Sequence, residues 1–327
     1  MTALLEARDL SRWFAGPPPG LVSRLRGTRA AALHAVADVN LSVAPNEALG
    51  LVGESGCGKS TLGRMLAGIL PPSAGEVRWD GHPVTGLRGK AARAWTLGVQ
   101  MVFQDPQASL NPRRRVVDLV GEAPVLHGMT TRAGQRGYVA GLLAEVGLDG
   151  AVLDRLPHEF SGGQRQRIGI ARALAVQPAA LVCDEAVSAL DVSVQAQVIN
   201  LLADLRARRG LALLFIGHDL SVVRHLSDRV AVMYLGSIVE EAPAAPLFRA
   251  PAHPYTQALL AQMPRLETGR KQFAALPGEL PSPLHPPLGC AFHPRCPHSF
   301  DRCRAERPVL RDVAPGQRAA CHLHDFT

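Results

Sequence analysis

The 327-residue sequence has no apolar run that approaches the length of about 18 or more residues needed to cross a bilayer. The longest candidate, Leu211–Gly217, has only the length of a strand. The first 20 residues carry four charged side chains and lack the apolar run of a secretion signal. Low-complexity bulk and internal repeats are also missing, which excludes a largely disordered chain. These absences predict a globular protein that stays in the cytoplasm.

Cysteine is scarce, and four of the six cysteines lie in the last 38 positions. Cys57 and Cys183 are explained as small packing residues. Disulfides do not persist in a reducing cytoplasm, so the four late cysteines need another explanation. Four thiolates can bind zinc or an iron–sulfur cluster, and free thiols are the third alternative.

Composition shifts near Ala242, because the final 85 residues hold 14 of the 26 prolines. One helix, Tyr255–Gln262, is predicted there, and the remainder is predicted to form loops. A second irregular stretch, Gly16–Arg29, is interpreted as a surface insertion. The formal net charge of +7 favours an anionic partner such as nucleotide, nucleic acid or a membrane surface, or reflects only surplus surface arginine.

Predicted strands and helices alternate, which indicates an α/β sheet. Apolar runs predict strands at Glu47–Val52, Val99–Phe103, Ala180–Cys183 and Leu211–Ile216. Helical periodicity predicts helices at Lys59–Gly68, within 116–146 with an N-cap at Thr130 or Thr131, at Ser161–Val176 and at Val192–Arg209. A hairpin of Val230–Tyr234 and Ser237–Glu241 is predicted to turn at Gly236.

A glycine-rich loop, Gly53–Ser60, fits the phosphate-binding pattern G-x-x-x-x-G-K-[ST] between a predicted strand and a predicted helix. Glycine lets several backbone N–H groups point at phosphate oxygens, and the helix N-terminus adds partial positive charge. Lys59 can reach the β and γ phosphates, and Ser60 offers a hydroxyl to Mg²⁺. The loop predicts nucleotide binding, which many activities share.

The segment Leu181–Glu185 ends a predicted buried strand, and its last two residues are carboxylates. Asp184 is placed to hold Mg²⁺, directly or through water, and Glu185 is the candidate general base for the attacking water. Asp184 follows Lys59 by 125 residues, which leaves room for an inserted subdomain.

A second anion-binding arrangement begins at Ser161, where Ser-Gly-Gly opens a predicted helix. One nucleotide cannot easily contact both phosphate-binding motifs of a single chain, the loop Gly53–Ser60 and the Ser-Gly-Gly at Ser161, if they lie on different lobes. A two-fold dimer solves this difficulty, because each ATP is then sandwiched between the loop of one subunit and the Ser-Gly-Gly of the other.

These motifs resemble those of the ATP-binding cassette (ABC) ATPases, whose signature matches Ser161–Gln164 followed by Arg-Gln-Arg. Gln104 matches the Q-loop glutamine, Ser188–Asp191 the D-loop and His218 the switch histidine. The resemblance covers about Leu5 to Glu241. It implies an α/β P-loop NTPase with a RecA-like core, an antiparallel β subdomain and a helical subdomain at about residues 105–175. We place the nucleotide-binding domain at residues 1–250 and a Pro/Cys-rich C-terminal extension at 251–327.

The resemblance also assigns the residues of the ATP site. Catalysis is expected from Glu185, His218, Gln104 and Lys59. Adenine is expected to stack on Phe14, with Trp13 as the alternative. Phosphate contacts are expected from Gly53, Ser55, Gly56, Gly58, Lys59, Ser60 and Thr61, and from Ser161, Gly162 and Gly163 of the opposite subunit. Mg²⁺ is expected on Ser60, Gln104 and Asp184.

One position departs from the family pattern, because Ala186 follows Glu185 where the family usually has proline. The loss of proline should loosen φ locally. Both carboxylates remain, so we expect hydrolysis to survive.

Further stretches resemble the nucleotide-binding subunits of oligopeptide/dipeptide (peptide/nickel) importers, namely Ser109–Arg113, Ser188–Gln197, His253–Leu260, Gly278–Pro283 and Gly289–Phe292. The chain looks most like the F-type partner in a pair of non-identical ATPases. This implies a second ATPase subunit, two transmembrane permeases and, indirectly, a solute-binding protein. The chain would then lie peripherally on the cytoplasmic face of the inner (plasma) membrane.

The same branch implies a 4Fe–4S cluster on four cysteines spaced C-x5-C-x6-C-x17-C, namely Cys290, Cys296, Cys303 and Cys321. The spacing lacks the short C-x2-C pairs that are typical of zinc ribbons. Zinc and free thiols stay open as alternatives.

Two rival functions compete with the importer. A soluble ABC ATPase that acts on the ribosome or on nucleic acid is supported only by the basic charge. Such proteins usually carry two cassettes or a long coiled-coil insertion, so we expect no nucleic-acid partner. The Asp184–Glu185 pair disfavours a regulatory module that binds ATP without turnover.

Overall fold

The computed structural model describes residues 3–15, 32–188, 190–263 and 278–326. The predicted surface insertion at Gly16–Arg29 lies outside these residues. Within the described part of the chain, no helix is both long and apolar enough to span a membrane.

The described residues form two sheets, with helices on both sides of the larger one. The strands are β1 (Leu5–Ala15), β2 (Ala32–Val43), β3 (Ala48–Val52), β4 (Ala74–Trp79), β5 (His82–Pro83), β6 (Val99–Val102), β7 (Ala180–Asp184), β8 (Ala212–Ile216), β9 (Arg229–Tyr234), β10 (Ser237–Pro243), β11 (Arg311–Ala314) and β12 (Gln317–Ala319). The helices are α1 (Lys59–Leu66), α2 (Gly89–Gly98), α3 (Pro106–Ser109), α4 (Val116–Leu126), α5 (Gln135–Glu145), α6 (Gly162–Leu174), α7 (Val192–Arg209), α8 (Leu220–Leu226), α9 (Ala244–Arg249), α10 (Pro254–Ala261) and α11 (Asp301–Ala305).

The larger sheet has the order β11-β12-β10-β9-β3-β8-β7-β6, and its strands from β9 to β6 run parallel. Every residue of β3, β7 and β8 is buried, as expected for a parallel sheet that is covered on both faces. Side chains alternate between two cores: Ala48 and Val52 join one, while Leu49 and Leu51 join the other. The α/β prediction is confirmed.

The parallel strands place the predicted catalytic residues at one edge of this sheet. The phosphate loop follows β3, and β7 ends at Asp184. Gln104 lies two residues beyond β6, and His218 lies two residues beyond β8. Ligands of open α/β sheets bind at the carboxyl ends of such strands, so this edge is the candidate active site.

The smaller sheet is antiparallel, with the order β2-β1-β4-β5. Leu5 of β1, Val36 of β2 and Met65 of α1 share one core, so this sheet packs against the helix that follows the phosphate loop. This agrees with the antiparallel β subdomain that the sequence predicts.

The segment at about 105–175 is helical, and α4, α5 and α6 pack together there. The predicted N-cap of α5 at Thr130 or Thr131 is wrong, because the helix begins at Gln135 with Gly134 as its N-cap. The Thr131 hydroxyl accepts a 3.1 Å hydrogen bond from the Gly134 N–H and closes the turn before the helix instead.

The C-terminal segment contains more regular structure than predicted. Two short strands add to the sheet edge, where β12 pairs with β10 and β11 with β12, and α9 and α11 replace predicted loops. The predicted helix Tyr255–Gln262 is observed as α10, which begins and ends one residue earlier. Tyr255 and Phe292 are fully buried beside Tyr234 of β9, so both sides of the proposed boundary at residue 250 share one core. The boundary itself stays a prediction.

Candidate active site

The phosphate loop needs glycine at the two positions where its backbone lies against the backbone of a neighbouring strand. The φ angles of Gly53 and Gly58 are 154° and 109°, a region that favours glycine. A Cβ on Gly53 would lie 2.2 Å from the carbonyl oxygen of Met233, and one on Gly58 would lie 2.0 Å from that of Ala35. The backbone of the loop therefore packs directly against these strands, and a side chain at either position would push the loop away from them.

Lys59 lies near the end of the loop, and its side chain reaches back to the first two residues of the loop. The side chain is only 4% exposed, and its Nζ donates to the carbonyl oxygens of Gly53 at 2.8 Å and Glu54 at 2.9 Å. The helix α1 begins at this residue, and its N-cap Gly58 provides no side-chain hydrogen bond. The first N–H groups of α1 are therefore uncapped by a side chain, as an anion-binding helix start requires.

Ser60 and Asp184 meet where the loop faces the end of β7. The Ser60 hydroxyl donates a 2.7 Å hydrogen bond to Oδ1 of Asp184. Burial raises the pKa of Asp184, while this hydrogen bond and the charges of Arg64 and Lys59 oppose the rise. The two oxygen donors suit a hard cation such as Mg²⁺, whose charge would favour the carboxylate form.

Glu185 lies between the side chains of Gln104 and His218. Its Oε2 accepts a 2.8 Å hydrogen bond from Nε2 of Gln104 and lies 3.8 Å from Nδ1 of His218. A cavity of about 50 Å³ opens beside it, lined in part by Ser188 and His218, and this volume can hold a water molecule. The structure thus brings together three predicted catalytic residues from the ends of three strands.

The backbone of Glu185 is left-handed, with a φ of 46°, which is uncommon for a residue other than glycine. The following turn is closed by two hydrogen bonds to the Glu185 carbonyl oxygen, from the N–H of Ser188 at 3.1 Å and from its hydroxyl at 3.0 Å. Ala186 is buried within this turn. Hydrogen bonds donated by Ser188 therefore close the turn at the position where the resembling family usually has a proline.

Ser161 caps α6, which begins at Gly162, one residue after the predicted start of the helix. Its hydroxyl accepts from the Gln164 N–H at 3.3 Å, and the Gln164 side chain accepts from the Ser161 N–H at 3.0 Å. Ser161 and Gly162 are exposed, whereas a Cβ on Gly163 would lie 2.2 Å from Cγ1 of Val194. The helices that pack against α6 include α4, α5 and α7, while α1 packs on β1, β2, β7 and β8. The two predicted phosphate-binding motifs therefore begin helices that pack against different sets of elements.

Two aromatic rings end β1, where adenine stacking is expected. Phe14 is partly buried, and the guanidinium of Arg12 lies 4.8 Å from its ring centre. Trp13 is 41% exposed and lies 6.1 Å from the ring of His34. The assignment of Phe14 to adenine stays a prediction.

The four late cysteines occupy one small region. The N–H of Cys290 donates to the carbonyl oxygen of Cys303 at 2.8 Å. Burial, followed by the charges of Cys303, Cys321 and Cys296, raises the pKa of Cys290 to about 11. Among the residues that the structure describes, no group of three or more His, Cys, Asp or Glu side chains is arranged to hold a metal ion.

Sequence reasoning missed two residues that contact the phosphate loop from the C-terminal extension. The hydroxyl of Tyr255 accepts a 2.8 Å hydrogen bond from the Glu54 N–H. Arg295 forms a two-pronged ion pair with the Glu54 carboxylate at 2.7 and 2.9 Å. A single arginine in a proline-rich segment gives no periodic signal, and only the fold brings it to the loop.

This edge of the sheet has the architecture of a P-loop ATPase, and comparisons with known proteins narrow the class. A family model described as "ABC transporter" matches residues 36–188, and one described as "Oligopeptide/dipeptide transporter, C-terminal region" matches residues 239–303.

Relatives match over almost the whole chain. The oligopeptide transport ATP-binding protein AppF of Bacillus subtilis is 46% identical over 98% of this chain and 97% of its own. A probable peptide ABC transporter ATP-binding protein of Sinorhizobium fredii is 50% identical over 90% of this chain and 84% of its own. The chain therefore belongs to the ATP-binding proteins of ABC transporters, and it is an ATPase.

Solved structures agree with this fold. The structure of cbiO1 from Clostridium perfringens, part of the ABC transporter complex cbiONQ, is 25% identical with a TM-score of 0.63, over 76% of this chain and 92% of that one. A dimeric bacterial ABC transporter cassette is also 25% identical, with a TM-score of 0.62 over 73% of this chain and 98% of that one.

Proposed function

We propose that this ATPase is the energy-coupling subunit of an importer for di- or oligopeptides or related solutes. The observation that carries this proposal is the C-terminal segment, since residues 239–303 match the region described for oligopeptide/dipeptide transporters. Relatives with peptide-transport names match both this segment and the ATPase part of the chain. The chain would act peripherally, at the cytoplasmic face of the inner membrane.

In the proposed cycle, ATP is the substrate of a site shared by two ATPase subunits. Phosphates lie on the loop Gly53–Ser60 of one subunit, and Ser161, Gly162 and Gly163 of the other subunit cover the γ-phosphate. Phe14 stacks on the adenine. Closure of the dimer around ATP, and its opening after hydrolysis, would move the permeases through contacts near Gln104.

Glu185 orients and deprotonates the attacking water, for which the adjacent cavity offers room. Lys59 and His218 place positive or hydrogen-bonding groups toward the γ-phosphate. Ser60, Asp184 and Gln104 would hold Mg²⁺, which supplies charge stabilisation to the phosphates when bound. The hydrogen bond from Gln104 to Glu185 links the base to the region that faces the permease.

The partners follow from the importer class. We assign the chain two transmembrane permeases, a second ATPase subunit that is a non-identical paralogue, and an indirect partnership with a solute-binding protein. The dimeric cassette among the solved relatives supports the paired arrangement of the ATPases.

We further assign a 4Fe–4S cluster to Cys290, Cys296, Cys303 and Cys321, with zinc as the alternative. The assignment rests on the spacing of the four cysteines and on the 2.8 Å hydrogen bond that joins the backbones of Cys290 and Cys303. Anaerobic purification followed by iron, acid-labile sulfide and zinc analysis distinguishes the cluster from zinc. A protein that contains neither metal nor sulfide would contradict both assignments.

The importer proposal is tested by affinity purification of the tagged full-length chain from detergent-solubilised membranes. Recovery of two permeases and a second ATPase is expected, together with peptide-stimulated ATP turnover after reconstitution with the solute-binding protein. The Glu185→Gln variant controls for contaminating ATPases. Recovery with ribosomes or nucleic acid in place of permeases would overturn the importer.

A further inference from the structure

The phosphate loop is held from outside the nucleotide-binding core by the C-terminal extension. Glu54, the second residue of the loop, contacts this extension through both its backbone and its side chain. The Tyr255 hydroxyl accepts from the Glu54 N–H, and Arg295 binds the Glu54 carboxylate. Lys59 binds the carbonyl oxygen of the same residue. Glu54 is therefore fixed at three groups, two of them by residues of the extension.

Arg295 is built into a rigid environment. Its side chain is 4% exposed, and its guanidinium lies 5.9 Å from the ring centre of Tyr234. It ends the short turn His293–Arg295, in which its N–H donates to the carbonyl oxygen of Phe292 at 2.9 Å. A buried arginine with a two-pronged carboxylate partner loses little freedom when it binds, and its geometry is well defined.

Tyr255 is equally constrained. It is completely buried, with its ring 4.6 Å from that of Tyr234 and 5.4 Å from that of Phe292. A ring held in this way presents its hydroxyl at a fixed place. The Glu54 N–H is thus paired with Tyr255 and is not available to a bound phosphate.

The charge of Glu54 matters because the loop receives a polyanion. A carboxylate in that loop would repel the phosphates if it had no counter-ion, most strongly where water is partly excluded. Arg295 neutralises it. We propose that Arg295 and Tyr255 are positioning residues of the ATP site, which act through Glu54 to fix the phosphate loop and to cancel its negative charge. The inference rests on ATP binding and does not depend on the imported solute.

The test uses the full-length protein and measures the dissociation constant of MgATP together with the thermal midpoint. Arg295→Met keeps an apolar stem beside Tyr234 and removes the charge, so ATP binding should weaken about tenfold. Arg295→Lys keeps the charge without the two-pronged geometry. The ATP affinity of this variant should lie between that of the unsubstituted protein and that of Arg295→Met. Tyr255→Phe should weaken binding by a smaller factor, since the ring packing survives.

The decisive variant is the double substitution Arg295→Met with Glu54→Gln. If the unpaired carboxylate is what opposes ATP, removal of its charge should return the affinity to within about threefold of the unsubstituted protein. A role limited to packing predicts no such recovery. Arg136→Met is a control for the loss of a two-pronged ion pair away from the loop, because Arg136 forms such a pair with Asp154 on the exposed surface of the helical segment, and the ATP affinity of this variant should be unchanged.

Two results would overturn the proposal: unchanged ATP affinity in Arg295→Met, or a double variant that binds ATP as weakly as the single one. If Arg295→Met does not fold, Arg295→Gln with and without Glu54→Gln gives the same contrast, because glutamine also removes the positive charge and its amide can still donate a hydrogen bond in the buried site. An unsubstituted protein that fails to bind ATP would instead contradict the assignment of the loop itself.

Discussion

Gln104 donates a 2.8 Å hydrogen bond to Oε2 of Glu185, although 81 residues separate them in sequence. The two residues lie close together because they follow neighbouring parallel strands, β6 and β7. It places the side-chain amide of Gln104, which we propose lies near the permeases, against the proposed base. The geometry connects the chemical step to the element through which the subunit is proposed to move its partners.

Glu185→Gln should bind ATP and hardly hydrolyse it. The substitution removes the base while it keeps the size of the side chain, so turnover should fall by about 10²–10⁴-fold. Phosphate release and nucleotide binding are measured on the same preparation. Asp154→Asn, which changes an exposed carboxylate of the helical segment, is the control and should retain turnover. Turnover at the unsubstituted rate in Glu185→Gln would contradict the base assignment.

His218→Ala should lower turnover by about tenfold or more and leave ATP affinity nearly unchanged. The reason is its place 3.8 Å from Glu185, on the side of the cavity that lies beside the base. His225→Ala is the matched control, because His225 is an exposed histidine on the helix that follows. Equal turnover in the two variants would remove His218 from the proposed mechanism.

Ser161→Ala should weaken both the fold and the shared ATP site. The loss of the cap of α6 costs about 1 kcal/mol, which shows as a small drop in the thermal midpoint. Combined with Glu185→Gln, it should also abolish ATP-dependent association in sedimentation experiments. Thr131→Ala removes a comparable hydroxyl acceptor before α5 and should affect stability alone. Association that survives in the Ser161 variant would argue against the sandwiched nucleotide.

The stability of the protein should fall below about pH 6.5 because of His253. Burial lowers the pKa of His253 to about 3, so the folded chain keeps this imidazole neutral while the unfolded chain protonates it below pH 6.5. Its contribution is therefore present above that pH and is lost as the pH falls, by about 2 kcal/mol at pH 5. Denaturant unfolding at pH 7.5 and pH 5 measures the difference.

His253→Asn is the informative comparison, because asparagine can still cap α10 as the imidazole does through Nδ1. The variant should lose less stability between the two pH values than the unsubstituted protein does. Identical pH dependence would show that His253 is not the group that titrates.

The sequence is most informative where local signals agree with the tertiary structure. The helix Val192–Arg209 is observed at its predicted bounds, because Asp191 caps its start and Gly210 ends it in a left-handed conformation. Short apolar runs in the sequence predict the strands that carry the site. Their parallel arrangement then accounts for the meeting of Gln104, Asp184 and His218 at one edge.

Other features were not predictable from local signals. The strand β12 has three residues and depends on pairing with β10, and such a short segment has no detectable period. The turn before α5 also misled the prediction, because Thr131 closes a turn with the same chemistry that an N-cap uses. The Arg295–Glu54 pair spans 241 residues and depends entirely on the fold.

That separation also sets an order for synthesis. A chain emerges from the ribosome with its N-terminal part first, so Glu54 is available long before Arg295 and the strand β12 exist. The nucleotide loop cannot obtain its charge partner until a further 241 residues have been made after Glu54. The contacts that we propose to position the phosphate loop therefore form only after synthesis has reached Arg295, long after the loop itself has been made.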